Sequence, residues 1–165
     1  MKRLINIRKA SNKDSSLILD FIKKLAEYEK RLDRVKAKES DIADILFTKK
    51  IAEALILEFS GYPVGFVIFF YNLSTFEGKP GIYIEDIYID EDHRNKGMGK
   101  ILFSYIARLA LKRGCCKVEW SVLRWNKSSI RFYESLGAQK IKEWDIYLLK
   151  GKGLKKVSEM PHQKD

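Results

Sequence analysis

A chain of 165 residues, 45% hydrophobic and 33% charged, has the length and balance of one globular domain with a sizeable core. No run approaches the ~20 apolar residues of a membrane span, and Asn6, Arg8 and Lys9 interrupt the basic start before a signal-peptide core can form, so a cytoplasmic location and no membrane partner are expected. A net charge of +10 raises nucleic acid as a partner, but bases and acids interleave, as in Lys23-Lys24…Glu27…Glu29-Lys30-Arg31, and the densest basic cluster is Lys150, Lys152, Lys155 and Lys156; the charge reads as solvated faces with attraction for a polyanionic cofactor, and nucleic-acid binding is not expected.

Residues 4–9 alternate and predict a first strand. Ser11-Asn12-Lys13-Asp14 has the form of a helix start, and the helix after it carries Ile18, Phe21, Ile22, Leu25 and Tyr28 on one face. A short helix is expected over 40–47. Strands over 52–59 and 64–71, joined at Ser60-Gly61-Tyr62-Pro63, make a hairpin. A polar loop over 72–80 leads to a strand over 81–89. In that strand Glu85 and Asp86 stand among Ile82, Ile84, Ile87 and Ile89. Adjacent strand residues point to opposite faces, and partial burial would raise a carboxyl pKa there; an edge-of-sheet salt bridge is the plainer reading.

Next comes Tyr88-Ile-Asp-Glu-Asp-His-Arg94-Asn95-Lys96-Gly97-Met98-Gly99-Lys100, a strand end, a glycine-bearing loop and a helix start. Such a junction presents a row of backbone N–H groups to an anion, and Arg94, Lys96 and Lys100 add positive charge. Gly97-Met98-Gly99-Lys100-Ile101 does not supply a P-loop, and Leu102 stands where a dinucleotide fingerprint needs a third glycine. The helix over 100–113 buries Ile101, Leu102, Tyr105, Ile106 and Leu109 and stops at Gly114. Cys115 and Cys116 are adjacent and far in sequence from His93 and His162, so neither a disulfide nor a metal is expected. Residues 117–122 alternate as a strand. Asn126 N-caps a helix that runs through Leu136 to Gly137. Tyr133 sits mid-helix with Ile130 and Leu136, as a core tyrosine would. Strands over 139–142 and 145–150 close the fold, and 151–165 reads as a polar, flexible tail. The order β, α, α, β, β, β, α, β, α, β, β is a mixed α/β sheet in one domain over 1–150.

The Arg94-x-x-Gly97-x-Gly99 junction resembles the coenzyme A pyrophosphate loop of the GNAT family of N-acetyltransferases, and the element order is similar to the whole GNAT fold over about 5–150. Leu25-Ala-Glu-Tyr-Glu29, Tyr83-Ile-Glu-Asp-Ile-Tyr-Ile89, Trp125-Asn-Lys-Ser-Ser-Ile-Arg-Phe-Tyr133 and Gly137-Ala138 look like the diamine (spermidine/spermine) N1-acetyltransferase-like branch. The resemblance implies a central sheet of about seven strands, a homodimer, acetyl-CoA as co-substrate without a metal, and a small cationic amine as acceptor. It puts the pyrophosphate on the amides of Asn95, Lys96, Gly97, Met98, Gly99 and Lys100 beside Arg94. The pantetheine arm then lies along Ile87, Tyr88 and Ile89, with Asn126 and Ser129 also in contact. Tyr133 becomes the general acid for the leaving thiolate and Glu85 the group that takes the amine proton. Tyr28, Glu29, Glu85, Asp86, Glu119, Trp120 and Ser121 become substrate contacts. Leu136 departs from the pattern, standing where a basic cofactor contact is possible. Two other readings keep the fold: an acetyltransferase acting on a protein N-terminus or lysine, and a non-catalytic module that binds coenzyme A or nucleic acid.

Overall fold

The computed structural model describes residues 4–161. Met1–Arg3 and 162–165, including His162, lie outside the described residues. The chain divides within a helix into two compact units, Met1–Ser129 and Ile130–Asp165.

The first unit is built on a five-stranded sheet in sequence order. Strands β1 (Ile5–Lys9), β2 (Glu53–Phe59), β3 (Tyr62–Ser74) and β4 (Lys79–Ile89) form an antiparallel meander, and β5 (Val118–Trp120) joins β4 in parallel. The β2–β3 turn is Ser60-Gly61, both at positive φ (52° and 85°), as a two-residue hairpin of matching twist requires. The polar loop expected over 72–80 is mostly strand: β3 runs on to Ser74 and β4 begins at Lys79. Cross-strand pairing overrides the polar composition there.

Helix α1 (Ser15–Tyr28) follows a single 3₁₀ turn, Asn12–Asp14. The Asp14 carboxylate accepts from the Ser11 backbone N–H at 2.7 Å and from the Arg8 guanidinium at 2.8 and 2.9 Å, which ties the helix start to β1. Ile18 and Phe21 bury against Ala54, Ile56, Phe66, Ile68 and Tyr88, and Phe21 stacks on Phe66 with centroids 5.5 Å apart. Helix α2 (Glu39–Ala43) and the π-helical turn after it, Asp44–Thr48, add Ile42 and Leu46 to this cluster. Helix α3 (Met98–Lys112) covers the other face, with Met98 against Leu57 and Val64. Its Phe103 meets Trp120 at 5.0 Å, and Arg113 beyond its end grips Glu53 with both Nη atoms and Tyr71 Oη at 2.7 Å.

Helix α4 (Lys127–Ser135) spans the division between the units. In the second unit its end is set by Gly137 at φ 87°, and Ala138 N–H donates back to the Tyr133 carbonyl at 3.2 Å. The two closing strands expected over 139–142 and 145–150 are absent, so among the described residues the sheet has five strands rather than about seven. Alternation sets a local preference, but a strand needs a ladder partner, and this segment joins none. Within the tail expected over 151–165, residues Gly151–Ser158 form helix α5. Among the described residues no helix is long and apolar enough to cross a membrane.

Candidate active site

The loop from β4 to α3 is held from both ends. A 3₁₀ turn, Glu91–His93, follows the strand, and Asn95 (φ 60°) and Gly97 (φ 79°) then reverse the backbone into α3. The first helical bond is Ile101 N–H to the Gly97 carbonyl at 3.2 Å. The amides of Met98, Gly99 and Lys100 therefore precede any intrahelical acceptor and face a would-be anion at the positive end of the helix. Arg94 braces this loop: its Nε donates to the Ile89 carbonyl at 2.8 Å, and its guanidinium lies 4.6 Å from the Tyr28 ring centre and 5.2 Å from that of Tyr88. Lys96 turns inward to the Asp92 carbonyl at 2.7 Å, while Lys100 is exposed.

Beside the loop, the sheet opens. The β4–β5 ladder covers only Ile82–Ile84 against Val118–Trp120. Ile87, Tyr88 and Ile89 pair with Val67, Phe66 and Gly65 of β3, and among the described residues no strand takes their other edge. Gly65 allows that close approach, since a Cβ there would sit 2.6 Å from the Tyr88 carbonyl. An unpaired strand edge running into a row of orphan amides fits an extended arm that ends in a diphosphate, which is the shape of coenzyme A.

The paired acids are arranged by a β-bulge. Ile84 pairs with Phe69 and Asp86 with Ile68, which leaves Glu85 as the extra residue. In a regular strand Ile84 and Asp86 would share a face. The bulge breaks that parity: Ile84 stays with Trp120 on the α3 side, and Asp86 turns with Ile68 to the α1 side. The simple alternation expected of Glu85 and Asp86 is corrected accordingly, and Glu85 is exposed at the bulge. Burial, then the Glu85 and Glu29 carboxylates, push Asp86 up to about 6. Burial also raises Glu29. The other two acids singled out in the sequence thus both act on Asp86.

Tyr28 serves as a brace between elements. Its hydroxyl donates to Asn126 Oδ1 at 3.2 Å, its ring meets Trp125 at 5.9 Å, and Arg94 covers it. Asn126, only 8% exposed, accepts from the Ser129 backbone N–H at 3.2 Å and so caps α4. Trp120 packs toward α3, whereas Glu119 pairs with Tyr83 on the opposite face, and Ser121 Oγ lies 2.7 Å from Tyr83 Oη. Tyr133 lies in the second unit on α4, its ring 5.6 Å from that of Phe132. Sequence reasoning missed Asn72, Tyr83 and Lys117, which gather around Glu119. The i, i+2, i+4 spacing of Lys117, Glu119 and Ser121 was the available signal.

Residues 19–138 match the acetyltransferase (GNAT) family model. The chain belongs to the GNAT acetyltransferase family. It is 32% identical over 166 residues to a thialysine N-epsilon-acetyltransferase of Bos taurus, covering 93% of this chain and 97% of that protein. A second relative, an L-ornithine N5-acetyltransferase of Arabidopsis thaliana, is 46% identical over 96 residues, 58% of this chain, but the match spans only 42% of that protein's length. Among solved structures, an integron cassette protein from the mobile metagenome of V. cholerae superposes with a TM-score of 0.80 over 95% of this chain and 99% of that one, at 22% identity. The enzyme is thus an acyltransferase of a family that draws its acetyl group from acetyl-CoA, and the bulge, the open β4 edge and the α3 amides are parts of an acetyltransferase fold.

Proposed function

We propose that this acetyltransferase moves an acetyl group directly from acetyl-CoA to the primary amine of a small cationic acceptor: a diamine, a polyamine or a lysine-like amine. It acts as a homodimer in the cytoplasm through one catalytic domain spanning 1–150. The supporting observation is a conjunction: the unpaired β4 edge leads into the free α3 amides, and Glu29, Glu85 and Asp86 cluster beside it. The acids hold a cation locally against a global charge of +10, because short-range attraction is the least screened.

Acetyl-CoA supplies a thioester carbon open to attack and a thiolate that departs. The amides of Asn95 to Lys100 hold its diphosphate, Arg94 keeps that loop in place, and the backbone of Ile87 to Ile89 aligns its arm, with Asn126 and Ser129 alongside. An alkylammonium has a pKa near ~10.4, so a neutral nucleophile must be made at the site. Glu85 and Asp86 bind the ammonium with Glu29, and Glu85, in reach of solvent, passes the proton to water. A backbone N–H near Tyr88 polarises the carbonyl. Tyr133, by its place in the Trp-Asn-x-x-Ser-Ile-x-Phe-Tyr motif, protonates the sulfur. No covalent enzyme intermediate and no metal enter.

A panel of amines tested for acetyl-CoA-dependent thiol release decides the matter. Diamines, polyamines or dibasic amino acids should release thiol in proportion to acetylated product. Turnover confined to peptide N-termini or peptide lysines would replace the small-amine reading with a protein acceptor.

A further inference from the structure

The α1-side face of β3, β4 and β5 carries a polar group that the proposed transfer step does not use. Along β3, Ile68, Phe70 and Asn72 follow one another on this face, opposite Asp86, Tyr83 and Gly81 of β4. Glu119 of β5 stands opposite Tyr83, and Lys117 is tied in beside Gly81 by a bond from Ile82 N–H to its carbonyl at 3.0 Å. The three rows form a ladder: the acid Asp86, then Tyr83 with Glu119, then Asn72 with Lys117.

Within this group Lys117 Nζ lies 3.0 Å from Glu119 Oε2, and Asn72 Nδ2 donates to the same oxygen. Glu119 Oε1 remains as a further acceptor. Asn72 Oδ1 is buried and has no hydrogen-bond partner, an arrangement that costs stability unless a donor arrives. Gly81 makes the space: a Cβ at that position would collide with Asn72 Oδ1 and lie 2.8 Å from Lys117 Cγ. Tyr83 Oη and Ser121 Oγ, 2.7 Å apart, stand beside Glu119. Lys117 and Glu119 keep about a third of their side-chain surface (34% and 27%) in contact with solvent, so a ligand can reach both.

We propose that Lys117, Glu119 and Asn72 form a subsite for the zwitterionic head of an α-amino acid, which makes the acceptor a dibasic amino acid acetylated on its side-chain amine. This rests on the small-amine reading of the same site. The chemistry matches group by group. Glu119 accepts from the α-ammonium, and Asn72 holds Glu119 in place from behind. Lys117 Nζ, with Tyr83 and Ser121 hydroxyls, donates to the α-carboxylate. One cation and one anion suit a head of zero net charge, whereas the far ammonium of a diamine would meet Lys117 without a carboxylate to offset it. The spacing also fits. The Asp86 row and the Glu119 row are two β3 residues apart, about 7 Å along the strands at ~3.4 Å per residue, and β5 lies about 4.8 Å to the side of β4, so the two positions are about 8.5 Å apart, within reach once a hydrogen bond at each end is added. An extended lysine side chain spans roughly 6 Å from Cα to Nζ, given bonds of about 1.5 Å in zigzag. A substrate anchored at Glu119 therefore delivers its side-chain amine to Asp86.

The test pairs L-lysine with 1,5-diaminopentane, which differ only in the carboxylate, on the full chain. Wild type should favour lysine by about tenfold or more in kcat/KM, the discrimination typical of a site built to pair a polar group. Lys117→Met should raise KM for lysine by about tenfold while KM for the diamine shifts by less than about threefold, and Lys117→Arg should recover most of the lysine preference. Equal losses on both amines, or a wild-type preference for the diamine, would overturn the subsite while leaving small-amine transfer standing. Should no free amine be acetylated, the transfer reading itself fails. Calorimetry with L-lysine then still decides the subsite: binding weakened by Lys117→Met keeps it, and no binding to folded wild type removes it.

Discussion

Asp86 is held where burial and two carboxylates all disfavour its charge, which makes a prediction with a definite sign. Its folded pKa of about 6 lies above the ordinary 3.8, so between these values the folded protein binds more protons than the unfolded chain and stability falls as pH rises. The contribution is fully present below about 4 and gone above about 6. Asp86→Asn should therefore be more stable than wild type at pH 7.5, by something of order 3 kcal/mol at ~1.4 kcal/mol per pKa unit, and the gap should narrow to about a third of that at pH 4.5. Denaturant melts at both pH values measure it. Asp14 supplies the opposite sign: Arg8 draws its pKa down to about 2, so that ion pair's contribution is present above about 4 and is lost as pH falls through 2. In catalysis, an acid limb of kcat/KM near pH 6 is expected from Asp86 and should vanish in Asp86→Asn. A wild-type profile in that variant would make Asp86 a bystander. Tyr133→Phe keeps the ring and removes the proton donor. Turnover should fall by about 10²-fold or more, the usual scale of general-acid catalysis, with coenzyme A affinity unchanged. An undiminished turnover, measured where chemistry is rate-limiting, would return Tyr133 to a packing role.

At the level of elements, the β4–α3 junction separates binding from folding. Gly97 sits at φ 79° with no atom within 4 Å of where a Cβ would be. Gly97→Val meets no clash, only the backbone penalty of about 1–3 kcal/mol, and the amides of Met98 to Lys100 must shift. Coenzyme A affinity by calorimetry should drop by more than the melting temperature implies; parallel losses would make Gly97 a plain turn glycine. This junction was legible in the sequence because its signals are local: alternation ending at Ile89, glycine at Gly97 and Gly99, and an apolar stripe through Leu102 and Ile106. The Ser60-Gly61 hairpin and the Asn126 cap were legible for the same reason. The bulge at Glu85 was not, because one residue of slip between β3 and β4 leaves no mark on composition, yet it decides which face Asp86 takes. Nor was the early end of the β4–β5 ladder visible, or the failure of 139–150 to pair, since both depend on a partner strand and not on the segment itself. Lys117, Asn72 and Tyr83 were passed over because three strands must align before they meet.

At the scale of the whole molecule, the charge of +10 favours a polyanionic co-substrate, so added salt should weaken coenzyme A binding; affinity independent of ionic strength would place the phosphates away from the basic loop. The same scale includes the second unit, where Ile141, Trp144, Ile146, Tyr147, Leu148 and Leu149 are all exposed, Trp144 by 77%, Ile146 by 87% and Tyr147 by 94%. Six large apolar side chains in nine residues exceed the scattered exposure of ordinary surfaces. The proposed homodimer gives them a cover in the second copy. Sedimentation should find a dimer at micromolar protein, with a melting temperature that rises with concentration, as subunit linkage requires. Replacing Trp144, Ile146 and Leu148 together by serine should shift the population to monomer, while α1, α3 and the five-stranded sheet of the first unit keep their circular dichroism signature. A wild-type monomer with a concentration-independent melting temperature would refute the dimer, and a dimer untouched by the triple replacement would move its interface away from residues 139–150.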